Sequence, residues 1–343
     1  MDPKRPRRPS PRSIAISAGR WAAVFSLIAS LAAAKEVGDF VLFGIDGVDL
    51  GGATRVYRGD IGSNGVVRGR QDAWIGEDVL ADLVSLDRGV MVSGDVESNM
   101  LRLGQNVEIG GKQIAPLEIP VLEAFPLLEA AVPSEQDIRV EGGRKRRLRA
   151  GHYGRIEVGS GARLIFMGGE VHAERLVAES GAEVLFRRPT ILHVASGVQF
   201  DENCVLAAIS PAGPADVVVH LSGSGLIMLR SGCHVKANLV APLGLVSIVH
   251  RVDFAGAVLA NRVITGDEVV IDHHPAFNPA FELLKKCPRR KWNGRSEWRK
   301  FAQESSARGR WMSWRAWNAR YRPDRCGGSA KASHPGGNKR WGR

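Results

Sequence analysis

Arg155-Ile156-Glu157-Val158, then Ser160-Gly161-Ala162, then Arg163-Leu164-Ile165-Phe166 is a short alternating strand, a small-residue turn and a second strand. The arrangement returns around Ser180-Gly181-Ala182, flanked by Glu174 to Val177 and Glu183 to Phe186. It returns again at Ser196-Gly197-Val198, beside Ile191 to Val194. The steps are 20 and 16 residues, about the length of one coil of a solenoid. A side-chain period of two, with Gly where the backbone turns, stacks one stripe of side chains inside each coil. The expected fold is all-β, a right-handed parallel β-helix of about ten coils and roughly 50 Å.

Five segments follow from that anchor. Residues 1–34 read as a signal peptide and 35–113 as a first β-helix block. In that block Val48-Asp49-Leu50-Gly51, Ala73-Trp74-Ile75-Gly76 and Leu101-Arg102-Leu103-Gly104 each close an alternating run. Gly62-Ser63-Asn64-Gly65 reads as a tight turn, and residues 78–88 suit a helical turn or two as well as a strand. Residues 114–136 carry Pro116, Pro120, Pro126 and Pro133 among apolar residues. Proline at that density excludes a central strand, and the apolar content excludes a free linker, so a strap along the solenoid is expected. A second β-helix block covers 137–276, and a basic, Trp-rich, partly disordered tail covers 277–343.

The whole-chain charge of +11 divides unevenly. Residues 1–34 hold six basic residues and one acidic, and residues 285–343 hold 18 basic and three acidic. The interval between them keeps 23 basic against 32 acidic residues, so the body is acidic and only its ends are basic. Specific nucleic-acid binding by the body is therefore not expected. The basic stretch Lys4 to Arg20, the apolar run Trp21 to Ala34 and the closing Ala32-Ala33-Ala34 predict export with cleavage after Ala34. The run is too short to span a bilayer. Export leaves periplasm, cell surface and extracellular space all open.

Catalytic chemistry finds little support. Asp201-Glu202, Asp267-Glu268 and Asp272-His273-His274 are adjacent in sequence, and strand neighbours point to opposite faces. They read as solvated turn residues, although turnover of a polysaccharide lyase or hydrolase would be expected to run through Asp201, Glu202 or Asp272. His152, His172, His193, His220, His234 and His250 are scattered through the second block, with first steps of 20 and 21 residues. They read chiefly as half-exposed strand residues, with a ladder able to bind metal or sense pH as the sharper alternative. No cofactor or metal is expected. Cys204 and Cys233 read either as small buried residues or as a disulfide pair, with Cys287 and Cys326 in the tail. The loop Gly142 to Arg149 reads as a solvated turn or a site for an acidic polymer. Ice binding through ranks of threonine is set aside, since Thr54, Thr190 and Thr265 are the only three.

The order of phrases resembles a broad group of exported bacterial β-helix proteins, including those with a choice-of-anchor A style repeat region. The likeness runs from Phe43-Gly44 and Gly47 to Gly51, through the strap and Gly151-His152-Tyr153-Gly154, to Asn238 to Pro242 and Phe254-Ala255-Gly256-Ala257. It covers about residues 38–276 and implies no common enzymatic activity; the sparse threonine and basic tail depart from it. The expected function is an exported, non-enzymatic structural or adhesive rod meeting a cell-envelope polymer or surface protein. The alternative is a carbohydrate-active enzyme. In the tail, Trp298, Trp311, Trp314 and Trp317 with Arg310, Arg315 and Arg320 suit an anionic membrane or polymer surface.

Overall fold

The structure is a computed structural model that describes residues 35–122, 125 and 128–275. The chain divides into one unit ending at Glu36 and a second from Val37 onward. The second unit is a parallel β-solenoid of about 12 turns, made of a 14-stranded and an 11-stranded sheet. Strands of the larger sheet break register midway, between Ala173 and Arg175 or Ser63 and Val66, where the chain turns a corner. Each coil therefore has three faces: two from the larger sheet and a third from the smaller. The expected ten coils of about 20 residues fall short because several steps are only 17 residues, as from Asp72 to Gly89 to Asn106 and from Arg251 to Glu268.

One backbone feature recurs at the corner between the second and third faces. A residue with positive φ stands there in coil after coil: Gly143, Gly161, Gly181, Asn203, Gly232, Arg251, Glu268, Ala53, Asp72, Gly89 and Asn106. The residue after it points inward and is small or aliphatic, as with buried Ala162, Ala182, Cys204, Cys233, Val252 and Ala73. The first two sequence phrases are this corner. The third is not: Ser196-Gly197-Val198 lies inside the strand Thr190–Phe200. The true equivalent of Gly181 is Asn203, so the steps are 20 and 22 residues. Asn tolerates the left-handed region through its short polar side chain, which hides the corner from a search for Gly.

The coils are not stacked in chain order. From one end of the rod the larger sheet runs Ile138–Val140, Arg155–Val158, Gly169–Ala178, Thr190–Phe200, Val217–Leu221, Asn238–Ile248 and Val258–Thr265. It then continues with Phe40–Leu50, Asp60–Gly69, Val79–Leu86, Val96–Leu103 and Gln113–Ile114. The first block thus sits on the last coil of the second, joined at a seam where Leu42 pairs with Val258 and Val48 with Val263. Polar groups lock this seam. The Gly51 amide donates to Thr265 Oγ1 at 3.0 Å, and the Thr54 hydroxyl donates to the Gly266 carbonyl at 3.1 Å. Asp49 lies between Arg262, at 2.7 Å, and Arg68, at 3.3 Å.

Inside, the coils stack Val, Leu and Ile, with the rings of Phe166 and Phe186 parallel at 5.2 Å. Burying such columns is the main favourable term, at about 25 cal/mol per Å². Residues 79–86 are a strand throughout, not a helical turn, because Val79 and Val84 are needed in these columns. Ser63 to Gly65 form a corner within the strand Asp60–Gly69 and not a chain reversal. The loop read at 142–149 contains the strand Lys145–Leu148, the last of the smaller sheet. Exposed Lys and Arg on an edge strand discourage pairing with another chain.

Between Ile114 and Ile138 the chain returns down the first face, the length of the rod. Side chains of that face clamp its backbone. Asn99 accepts from the Leu117 amide at 3.0 Å, and Asn64 both donates to and accepts from the backbone of Leu122, at 3.3 and 3.2 Å. Ser222 Oγ accepts from the Ala131 amide at 3.1 Å. Leu117, Val121, Leu122 and Phe125 cover Phe40, Phe43, Leu80 and Leu259, while Leu128 packs near Val218 and Val240.

Candidate functional site

The first face is closed by this returning segment, and its lower part holds a histidine ladder. In-register pairing places His152, His172, His193 and His220 in one outward column. The rings stack at 4.6 Å from His152 to His172 and again to His193, and meet His220 edge-on at 5.5 Å. His172, His193 and His220 are buried and His152 is exposed, so most of the ladder is not the half-exposed set expected. The Val132 amide donates to His172 Nδ1 at 3.3 Å, and the Val132 carbonyl accepts from His152 Nδ1 at 2.6 Å. His172 must therefore keep Nδ1 unprotonated. Burial first, and the neighbouring His152 second, hold its pKa below the usual imidazole value. Among the described residues no group of three or more His, Cys, Asp or Glu side chains is placed to hold a metal ion. The ladder ties down the covering segment.

The carboxylates are engaged one at a time. Asp201 faces Arg230 at 3.5 Å and accepts from Gln199 at 3.2 Å. Asp267 accepts from the Gly52 amide at 2.7 Å, and Glu268 pairs with Arg251 at 2.8 Å. Asp272 is held by both Nε and Nη2 of Arg58, at 2.7 and 2.6 Å, which lowers its pKa. Asp60, Asp78 and Asp95 stack at one corner, each accepting the backbone N–H one coil on. A glycosidase needs two carboxyls facing one space; Asp201, Asp267, Glu268 and Asp272 are each held by their own arginine or amide. Cys204 and Cys233 are free and buried in adjacent coils, and their thiols donate to the carbonyls of Glu179 and Asp201, both at 3.1 Å.

The second face is left uncovered by the returning segment. In-register pairing gives it two outward columns. One runs Arg155, Arg175, Gly197, Leu226, Leu245, Arg262. Beside it lie Glu157, Val177, Gln199, Met228, Ser247 and Ile264. Gly197 interrupts the first column and leaves a shallow hollow of about 200 Å³, bordered by Arg175, Gln199, Leu226 and Met228. The hollow offers one guanidinium, one amide, the Ser196 hydroxyl and apolar side chains.

Neither a family model nor a curated protein matches the chain. Among solved structures it is similar to the crystal structure of an ice-binding protein from an Antarctic bacterium of the Flavobacteriaceae. The identity is 12%, the TM-score 0.27, and the match covers 70% of this chain and 98% of the other. A likeness of that degree says nothing about what this chain binds.

The tail residues expected at an anionic surface, Trp298, Trp311, Trp314, Trp317, Arg310, Arg315 and Arg320, lie outside the described residues. So does the expected cleavage point after Ala34. Sequence reasoning missed Asn64, Asn99 and Ser222 as clamps on the returning segment. Nothing in the sequence marks them, since each acts on a segment 18 to 91 residues away.

Proposed function

We propose that the chain is an exported, non-enzymatic rod of the choice-of-anchor A-like kind that binds a cell-envelope polymer or a surface protein. The open second face is the binding surface and the basic tail an accessory contact to anionic lipid or polymer. The observation that carries this reading is the contrast between faces among the described residues: one is covered by the returning segment and one is left open by it, while Asp201, Asp267, Glu268 and Asp272 are each held by an ion pair or a backbone amide. A regular, in-register surface at ~4.8 Å per coil suits a long repeating ligand better than a small molecule.

Co-sedimentation with envelope fractions tests it. The mature chain is expected to pellet with them. Deletion from Lys285 onward is expected to remove the salt-sensitive part of that binding, because exposed charges are screened beyond ~8 Å at physiological ionic strength. A chain that stays in the supernatant at low salt, begins at Met1 in cells, or turns over a polysaccharide through Asp201, Glu202 or Asp272 would overturn the proposal.

A further inference from the structure

The third face carries a feature that neither the seam nor the interior explains. Trp74 is the only tryptophan among the described residues, and one of their two tyrosines, Tyr57, stands beside it. Their ring centroids are 5.4 Å apart, with the planes tilted by 58°. Both rings point away from the core: Tyr57 is 45% exposed and Trp74 half-buried, with Met91, 44% exposed, directly above Trp74 in the next coil. Gly76 makes room for the indole, because a methyl group there would stand 3.0 Å from Trp74 Cη2. The one tryptophan among the described residues thus stands on the outside of the sheet, against a tyrosine.

The surroundings of this platform are polar and balanced. Arg55 lies next to Trp74 in the coil below, and Glu108 next to Met91 in the coil above. Asp272 occupies the coil below Tyr57, locked to Arg58 and 3.3 Å from His274 Nε2. Two arginines, Arg55 and Arg58, face three carboxylates, Asp272, Glu108 and Glu77 near Arg58, so the rim has no excess of positive charge to attract a polyanion. Its fixed carboxylate and guanidinium groups supply hydrogen-bond acceptors and donors around an aromatic centre. The apolar part is three side chains wide. A stable protein partner would need about 800 Å² per side with a desolvated apolar core, and this patch, ringed by charge, falls well short.

We propose that Tyr57 and Trp74, with Met91, form a binding platform for a neutral polysaccharide. A pyranose ring has an apolar C–H face that stacks on an aromatic ring and an equatorial rim of hydroxyls that needs both donors and acceptors. The platform supplies both. Tyrosine and tryptophan contribute large contact areas for few frozen rotors, so ordering them on the sheet costs little. The proposal rests on the reading of the rod as a polymer binder and adds, on the third face, a glycan site separate from the second-face contact.

Native gels cast with soluble neutral polysaccharides (hydroxyethylcellulose, xylan, galactomannan), with polygalacturonate as the charged comparator, test it on the full mature chain. At least one neutral polymer is expected to retard the native chain, and high salt is expected to leave that retardation in place. Tyr57→Ala with Trp74→Ala is expected to weaken it at least about tenfold, near the upper range for loss of aromatic stacking. Trp74→Phe, which keeps a ring, is expected to retain most of it. Thermal unfolding confirms that each variant is folded. The platform is overturned if no neutral polymer retards the native chain, if the folded double variant is retarded as the native chain is, or if only polygalacturonate acts and salt abolishes it. Envelope co-sedimentation of the double variant separates the two proposals. Undiminished pelleting with lost glycan retardation supports the platform as a glycan site apart from the envelope contact. Undiminished pelleting without any glycan retardation removes the platform and leaves the envelope-binding rod.

Discussion

Acid should weaken this solenoid through His273 before it reaches the carboxylates. His273 closes the strand Val270–His273, and its Nε2 is buried with no hydrogen-bond partner among the described residues. Gly59, with φ of 85°, passes so close that a methyl group there would stand 2.7 Å from the imidazole Cγ. Burial first and the neighbouring His274 second push the imidazole pKa down to about 4; Asp39 and the Phe40 backbone act the other way and do not offset this. The unfolded chain titrates near ~6.5 and so takes up the proton first as pH falls. Stability from neutral His273 is complete above that value and is lost between ~6.5 and about 4, below which the folded chain is protonated as well. At ~1.4 kcal/mol per pH unit the loss is about 3 kcal/mol, a large part of a typical folding free energy. Urea unfolding midpoints at pH 7, 6, 5 and 4 should show it. His273→Gln, which does not titrate, should lose about 3 kcal/mol less across that range whatever its stability at pH 7. Equal pH slopes for the native chain and the variant would refute the argument that this imidazole is buried and uncharged.

Two further outcomes follow from the corners and the clamps. Gly161 has φ of 64°, and a methyl group added there would meet nothing within 4 Å, so Gly161→Ala isolates the backbone strain and should cost about 1 kcal/mol in urea unfolding. Asn64→Ala leaves the backbone of Leu122 without both hydrogen bonds and should cost about 2 kcal/mol; faster amide exchange and proteolysis confined to residues 115–137 would report it.

The repeat was legible where the corner residue is glycine and illegible where it is not. Gly161 and Gly181 announce their coils; Asn203, Arg251 and Glu268 adopt the same backbone without any compositional signal. Arg251 and Glu268 instead pair with each other across adjacent coils at 2.8 Å, a contact that needs the fold before it exists. Ser196-Gly197-Val198 misled because glycine also serves where two faces of a strand meet. The apolar, proline-spaced character of residues 114–136 correctly suggested chain lying against a surface. Its partners could not be foreseen, because they depend on stacking order. Trp74 was visible as part of a Gly-terminated run, but its outward placement follows from a register that only neighbouring coils define. The histidine steps of 20 and 21 residues carried the ladder's spacing, while its burial came from a segment some 40 residues from His172.

The seam imposes a schedule on synthesis. The strand Phe40–Leu50 is almost wholly buried, and one of its two edges waits for Val258–Thr265, about 215 residues later. At roughly 5–20 residues per second a ribosome needs about 10–40 s to deliver that partner. During that interval the first block presents an open β edge, the kind of surface that recruits strands from other chains. The cell must therefore shield a half-built rod from its copies until the late coils arrive, and the yield of folded protein should depend on how crowded synthesis is.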